Sequence, residues 1–176
     1  MIESVEWKYI YQCKLLDIPD KHLSEFNYKL LNNILCNNVF LSKWKRDTHS
    51  NCENCHIRET TKHIIFECEN VVQVWNALSN YLNLNVKWKH IMVGFFHERN
   101  RKTKSLNLLI SYIAYRIYKY KMYCRLNSLD ETCYNIFNML NFQLWSMPKF
   151  WKTSMYLLNI DFLKNLFLPS DVIMYF

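Results

Sequence analysis

Apolar residues recur every three or four positions along most of this chain, the spacing that places them on one face of an α-helix. The clearest case is residues 105–126, where a single stripe comprises Leu106, Ile110, Ile113, Ile117, Tyr120 and Cys124. The chain has one glycine and three prolines, which is too few for the many tight turns of a β-sheet protein. The pattern therefore predicts an all-α fold.

Shorter amphipathic segments flank this long helix. The spacing predicts a helix over residues 4–16, with Val5, Tyr9, Cys13 and Leu16 on one face. It predicts a second helix over residues 24–36, broken by Asn37-Asn38, whose inward positions are Phe26, Leu30, Leu31, Ile34 and Leu35. A third helix follows Cys68 and ends at Asn83, and a short one over 86–96 is closed by Gly94. Asp130 is placed to cap a last helix that reaches about Trp145.

Charge is distributed unevenly around the long helix. The net charge is +7, yet the window from Arg99 to Arg125 holds eight Lys or Arg and no acidic residue. A basic window of this kind indicates a polyanionic partner. Tyrosines at positions 112, 115, 118 and 123 lie among these cations and could stack on unpaired bases. The alternative is an ordinary solvated helix whose tyrosines are half-buried.

Three cysteines and a histidine stand at the spacing of a zinc site. Cys52, Cys55, His63 and Cys68 form the pattern C-x2-C-x7-H-x4-C. Zinc binds four tetrahedral ligands from thiolates and imidazoles, and a site with four protein ligands has no open position for catalysis. The pattern predicts one structural zinc ion, although spacing alone does not exclude a disulfide. His49 and His56 are rival ligands, but His56 directly follows Cys55 and would have to fold back.

The step from His63 to Cys68 constrains the backbone between them. On a straight α-helix, side chains five residues apart point about 140° away from each other. The helix that carries His63 must therefore end or bend by Cys68 if both side chains are to reach one ion.

The order of these motifs resembles the zinc-binding region downstream of the reverse transcriptase in non-LTR (LINE-type) retrotransposons. The resemblance covers about residues 5–125 and rests on the apolar segment 26–35, the C-x2-C pair, Glu59-Thr60, the block from His63 to Cys68, and Val74-Trp75. It implies that the cysteines and His63 bind zinc. It also implies a module that holds template RNA or target DNA, with a reverse transcriptase core as a further partner.

Basic residues in two groups are the candidates for contact with RNA or DNA. Those near the metal loop are Lys45, Arg46, Arg58 and Lys62. Those of the basic window are Arg99, Arg101, Lys102, Lys104, Arg116, Lys119, Lys121 and Arg125. We interpret residues 98–104 as a basic linker, which divides the chain into a helical zinc-binding domain (1–97) and a helical C-terminal region (98–176).

The chain departs from an intact retrotransposon protein because no polymerase aspartate pair, nuclease motif or glycine-rich phosphate loop is recognisable, so an enzyme acting alone is not expected. The competing hypothesis is a zinc-stabilised protein-interaction domain, with an interface at Trp145, Phe150, Trp151 and Phe176. No secretory signal or membrane-spanning segment is visible, which favours a nuclear or cytoplasmic protein in a reducing compartment.

Overall fold

The computed structural model describes residues 4–18, 20–44, 49–95, 100–130, 132 and 135–140. These residues are mostly helical and include no β-strand, and an isolated antiparallel bridge joins Asn51 to Arg58. The all-α architecture predicted from the apolar pattern is confirmed over this part of the chain. None of its helices has the length and apolar character needed to cross a membrane.

The helical elements follow one another in a simple order. The α-helices are α1 (Ser4–Tyr11), α2 (Lys21–Leu31), α3 (Asn38–Leu41), α4 (Glu69–Leu82), α5 (Trp88–Val93) and α6 (Arg101–Asn127). Two five-residue π-helical segments interrupt this order, and we call them the first π-turn (Gln12–Leu16) and the second π-turn (His63–Glu67). Residues 135–140 are helical as well.

Helix α6 lies at the centre of the core. Its predicted stripe is buried, with Tyr120 half-buried, and α2, α5 and both π-turns pack against it. The buried apolar side chains from Ile18 to Leu140 form one cluster, so α6 shares a core with the helices that precede it. Helix α6 begins at Arg101, where the Asn100 side chain accepts a hydrogen bond from Thr103 N at 2.8 Å. Residues 101–104 are therefore its first turn and not part of a linker.

The first helix does not run straight to Leu16 as the spacing predicts. The first π-turn widens the backbone so that Asp17 N bonds to Gln12 O, and this rotates the side chains that follow. Leu16 is consequently 78% exposed, whereas Lys14 is 1% exposed. The Lys14 ammonium donates to Ile91 O at 2.9 Å and to Ser111 Oγ at 2.8 Å, which ties the turn to α5 and α6.

Helix α2 begins and ends earlier than predicted. Asp20 caps it by accepting from Leu23 N at 2.8 Å, and it ends at Leu31, before Asn33 in the left-handed region at φ 54°. The chain therefore leaves the helix before Ile34, whose side chain is 48% exposed instead of buried. Asn37 has a different role from the predicted one, because it caps α3 by accepting from Phe40 N at 2.8 Å.

The predicted ends of α4 and α5 are confirmed. Asn83 closes α4 in the left-handed conformation, at φ 49°. Gly94 closes α5 at φ 79°, and a Cβ atom there would lie 2.8 Å from Asn107 Oδ1. The last predicted helix is capped by Thr132 and not by Asp130, since Thr132 Oγ1 accepts from Asn135 N at 3.1 Å. The predicted interface aromatics (Trp145, Phe150, Trp151 and Phe176) lie outside the described residues.

Candidate metal centre

Three cysteines and one histidine meet beside α6. One ligand atom from each of Cys52, Cys55, His63 and Cys68 lies within 4.8 Å of all the others. The sulfurs of Cys55 and Cys68 are 3.7 Å apart. Two thiolates on one tetrahedral zinc would be about 3.8 Å apart, because each Zn–S bond is about 2.3 Å long. The cluster is therefore of a size that could hold one metal ion.

A tight loop aims the first two sulfurs at the same point. Cys52 N donates to Ile57 O at 2.8 Å and His56 N donates to Cys52 O at 2.9 Å, so the backbone reverses within a few residues. His56 closes this loop in the left-handed region, at φ 56°. The His56 and His49 side chains are exposed, and neither belongs to the cluster. The cluster therefore contains the histidine that the sequence favours, His63, and its role as a ligand stays a prediction.

The second π-turn brings His63 and Cys68 together. A π-turn closes with an i to i+5 hydrogen bond, and Cys68 N donates to His63 O at 2.9 Å. Cys68 then becomes extended, with φ −61° and ψ 136°, and α4 begins at the next residue. Glu69 N lies 3.4 Å from Cys55 Sγ and donates to that sulfur. The predicted bend between the two ligands is confirmed, and its physical form is a widened helical turn.

The imidazole of His63 has the features of a ligand. Its side chain is 1% exposed, and neither Nδ1 nor Nε2 has a hydrogen-bond partner in the described part of the structure. Buried polar side-chain atoms are normally paired, because leaving them unpaired has a substantial free-energy cost. A metal ion among the three sulfurs would satisfy one of these nitrogens, so the residues present fit a metal.

The pKa values of two thiols in the cluster are shifted in opposite directions. Contact with the Cys68 thiol and burial raise the pKa of Cys52 to about 12. The same contact lowers the pKa of Cys68, and the nearby charge of Lys121 lowers it further. Metal binding requires thiolates, and a bound cation takes the place of the protons. The lowered pKa of Cys68 favours the thiolate form that a metal ion binds.

Lys121 lies against this cluster instead of facing solvent. Its Nζ atom is 3.3 Å from Cys68 Sγ, and the residue is 1% exposed. This burial contradicts the prediction that Lys121 contacts nucleic acid. A sequence signal for the correct placement existed, because Lys121 follows Ile117 by four residues and so continues the apolar stripe of α6.

One turn further along α6, Arg125 is held by the loop that precedes the second π-turn. Its Nη2 atom donates to both carboxylate oxygens of Glu59, at 2.7 and 2.9 Å. Glu59 is 2% exposed and also accepts from Asn38 N at 2.8 Å. The half-buried guanidinium of Arg125 is thus paired with a buried carboxylate, which argues against the predicted contact with nucleic acid.

The other motif residues support the second π-turn. Thr60 Oγ1 accepts from His63 N at 3.1 Å, and Thr61 Oγ1 accepts from Asn37 Nδ2 at 3.0 Å. On the opposite side, Trp75 Nε1 donates to Ile65 O at 2.8 Å, a carbonyl inside the turn itself. Thr60 and Trp75, which belong to two of the motifs that support the resemblance, therefore position the backbone of the second π-turn.

The remaining predicted cations are spread over the surface. Those with exposed side chains are Arg58, Lys62, Arg101, Lys102, Lys104 and Lys119. Lys62 pairs with Glu67, and Lys104 lies 3.4 Å from Asp17. The predictions for Lys45, Arg46 and Arg99 fall outside the described residues.

Three of the four α6 tyrosines predicted to stack on bases are half-buried and pack against other side chains. Tyr115 and Tyr118 pack on Phe26, with ring centroids 5.4 and 5.7 Å away. The half-buried Arg116 has its guanidinium carbon 5.9 Å from the ring centres of both Tyr112 and Tyr115. Tyr123 differs from these because it is 56% exposed. Of the four predicted stacking residues, Tyr123 presents the most open ring to a ligand.

No family model, curated protein or solved structure matches this chain. The resemblance to the retrotransposon zinc-binding region therefore remains a prediction that rests on the order and spacing of the motifs.

Proposed function

We propose that this chain is a nucleic-acid-binding module organised by one structural zinc ion, with Cys52, Cys55, His63 and Cys68 as the ligands. The observation that carries the proposal is the convergence of these four ligand atoms to within 4.8 Å of one another. Three sulfurs and one imidazole nitrogen are a typical ligand set for zinc. Four protein ligands complete the tetrahedron, so the ion stabilises the fold and has no position left for a substrate.

The exposed cations supply the proposed contact surface. Arg101, Lys102 and Lys104 lie together in the first turn of α6, and Arg58 and Lys62 lie in the segment between Cys55 and the second π-turn. Phosphate contacts by Lys and Arg displace counterions from nucleic acid and give binding that falls steeply with salt. The exposed ring of Tyr123 is suited to stacking on an unpaired base, so we favour single-stranded RNA or DNA as the ligand.

The motif order supports an origin in the region that follows the reverse transcriptase of a non-LTR retrotransposon. In that setting the module would hold template RNA or target DNA for a polymerase domain.

A protein-interaction domain is the second candidate, and one specific observation favours it. Large apolar side chains stand open to solvent, among them Leu126 at 85%, Trp44 at 79% and Leu129 at 50% exposure. Leu126 and Leu129 lie within four residues of each other around the end of α6. Exposed apolar side chains that lie together can form part of a contact surface for another protein.

Salt-dependent binding of a labelled single-stranded RNA separates the two candidates. Three phosphate contacts give a slope of about −2 in log K against log salt, so affinity should fall about 20-fold between 50 and 200 mM salt. We expect the triple variant Arg101→Ala, Lys102→Ala, Lys104→Ala to lose the part of the slope that these three contacts supply. A matched triple at exposed lysines elsewhere (Lys8, Lys21 and Lys43 to Ala) should retain it. Absence of binding at 50 mM salt would reject the nucleic-acid role and favour the interaction domain.

A further inference from the structure

The three sulfurs of the candidate metal centre differ in their access to solvent. Cys52 and Cys68 are buried, at 2% and 0% exposure, whereas Cys55 is half-buried. Oxidation of a cysteine by a small oxidant depends on the exposure of its sulfur. Cys55 Sγ is therefore the atom of the cluster that an oxidant from solvent reaches first.

A second sulfur lies against this accessible one. Cys55 Sγ is 3.7 Å from Cys68 Sγ, and a disulfide bond is about 2.05 Å long. Cys55 belongs to the short turn between Cys52 and His56 and not to a helix, so rotation of its side chain with a small shift of the turn can close the gap. The cysteines in the described part of the chain are free thiols, so both sulfurs are available.

The positions of these two cysteines would give a disulfide between them a structural effect. They are 13 residues apart in the chain, and the loop between them contains His63. Glu69 N, at the start of α4, already donates to Cys55 Sγ at 3.4 Å. A disulfide that closes a longer loop constrains the unfolded chain more, and Cys52 and Cys55 would close a much shorter one. A Cys55–Cys68 bond would thus hold the metal loop to the start of α4.

We propose that Cys55 and Cys68 form a peroxide-sensitive pair whose oxidation to a disulfide releases the metal ion. This inference rests on the proposed zinc site and adds regulation to it. The disulfide removes two thiolate ligands and leaves Cys52 and His63, which are too few for a tetrahedral site. Zinc retention therefore depends on the redox state of one sulfur pair.

The oxidation balances with hydrogen peroxide as the oxidant. The Cys55 thiolate attacks one peroxide oxygen, so an S–O bond forms, the O–O bond breaks and hydroxide leaves. The Cys68 thiolate then attacks the Cys55 sulfur, which forms the S–S bond, breaks the S–O bond and expels a second hydroxide. Each hydroxide takes a proton from solvent to give water. The two sulfurs together lose two electrons, which the peroxide gains, and a dithiol reductant reverses the change by thiol–disulfide exchange.

Peroxide treatment of the zinc-loaded protein tests the pair directly. We expect release of one zinc ion, measured with a chelating dye, for each Cys55–Cys68 disulfide mapped by mass spectrometry of unreduced peptides. Dithiothreitol and added zinc should restore the original zinc content. A Cys52–Cys55 disulfide, or zinc release without a disulfide, would overturn the inference.

Two ligand variants locate the reactive sulfur. Cys55→His keeps four ligands but removes the accessible thiol, so zinc release should slow by about tenfold or more, because the remaining thiols are buried. Cys52→His changes the ligand set in the same way but keeps the Cys55–Cys68 pair, so its release rate should stay within about threefold of that of the original chain. Equal rates in the two variants would overturn the assignment of Cys55. Cys13→Ser and Cys36→Ser, at half-buried thiols outside the cluster, are the controls and should leave the rate unchanged.

The remaining outcomes separate this inference from the metal site on which it rests. If the original chain binds no zinc, the proposed metal site fails and the inference fails with it. If the chain binds zinc and peroxide leaves the ion in place, the inference fails while the metal site stands. If a histidine variant does not fold, as judged by helical circular dichroism in excess zinc, the disulfide map of the original chain decides.

Discussion

The two π-turns of this protein share a backbone conformation, but their inward side chains differ in hydrogen bonding. Each spans five residues, packs against α6 and turns one polar side chain inward: Lys14 in the first turn and His63 in the second. Lys14 is satisfied inside the protein by two oxygens, at 2.9 and 2.8 Å. His63 has two buried nitrogens without a partner in the described structure. π-Turns are frequent at functional sites, and here the hydrogen-bond state of the inward side chain indicates which one is a ligand site.

The largest expected difference between the two π-turns is in their dependence on the proposed zinc ion. Structural zinc contributes on the order of 10 kcal/mol to folding in small domains. We therefore expect Cys52→Ser, His63→Ala or a strong chelator to abolish zinc binding and much of the cooperative thermal unfolding, measured by metal analysis and circular dichroism. Cys13→Ser, which alters a half-buried thiol within the first π-turn, should retain one zinc per chain. Full zinc occupancy in His63→Ala would mean that another histidine is the fourth ligand.

The ion pair that attaches the second π-turn to α6 should give the next largest effect. Glu59 is almost fully buried, and Arg125→Met would leave its carboxylate without a cation. Removing one partner of a buried pair destabilises a protein by about 3–5 kcal/mol, and the partial exposure of Arg125 favours the lower end. We expect the free energy of unfolding of the zinc-loaded protein, measured with denaturant, to fall by about 3 kcal/mol.

Lys29→Met, which breaks the exposed pair with Glu25, should change the free energy of unfolding by less than about 1 kcal/mol. Equal effects of the two variants would contradict the structural role of the pair.

The contribution of the first π-turn to the free energy of unfolding should depend on pH and not on the metal. Burial lowers the pKa of Lys14 from 10.5 to about 7, so between these values the unfolded chain binds a proton that the folded chain does not. The free energy of unfolding should therefore rise with pH across this window, by up to about 1.4 kcal/mol per pH unit.

The variant Lys14→Met should lack this contribution, so its stability relative to the original chain should improve as pH falls from 10 to 7. The measurement is denaturant unfolding at each pH with zinc present, and Lys8→Met at an exposed position of α1 is the control. Parallel pH profiles for Lys14→Met and the original chain would show that Lys14 is not held as the structure places it.

The smallest expected change in the free energy of unfolding comes from loss of the hydrogen bond between the Trp75 indole and the second π-turn. Trp75→Phe retains an aromatic ring but removes the donor to Ile65 O, and one such hydrogen bond is worth about 1 kcal/mol. We expect that loss in the free energy of unfolding, with one zinc still bound. Trp88→Phe is the matched control, because Trp88 is half-buried and packs on the same Phe66 ring at 6.3 Å. A larger loss of unfolding free energy for Trp88→Phe than for Trp75→Phe would mean that the Trp75 hydrogen bond is not the main support of the second π-turn.

Local patterns predicted those parts of the molecule that depend on neighbours in the chain. The apolar stripe of α6, the helix ends at Asn83 and Gly94 and the bend before Cys68 all follow from spacing or backbone preference. One error arose where an extra residue changed the helical period. The first π-turn exposes Leu16 and buries Lys14, because a pattern based on 3.6 residues per turn does not allow for a wider turn.

The sequence by itself determined the helical class, the four-residue metal motif and its order within the chain, since these are written in composition and short-range spacing. Only the tertiary structure decided which partners the buried cations meet. Lys121 and Arg125 belong to the basic window, yet they meet partners 53 and 66 positions away in the chain. A charge pattern along one helix carries no information about such distant partners, because folding brings them together only when the core closes around α6.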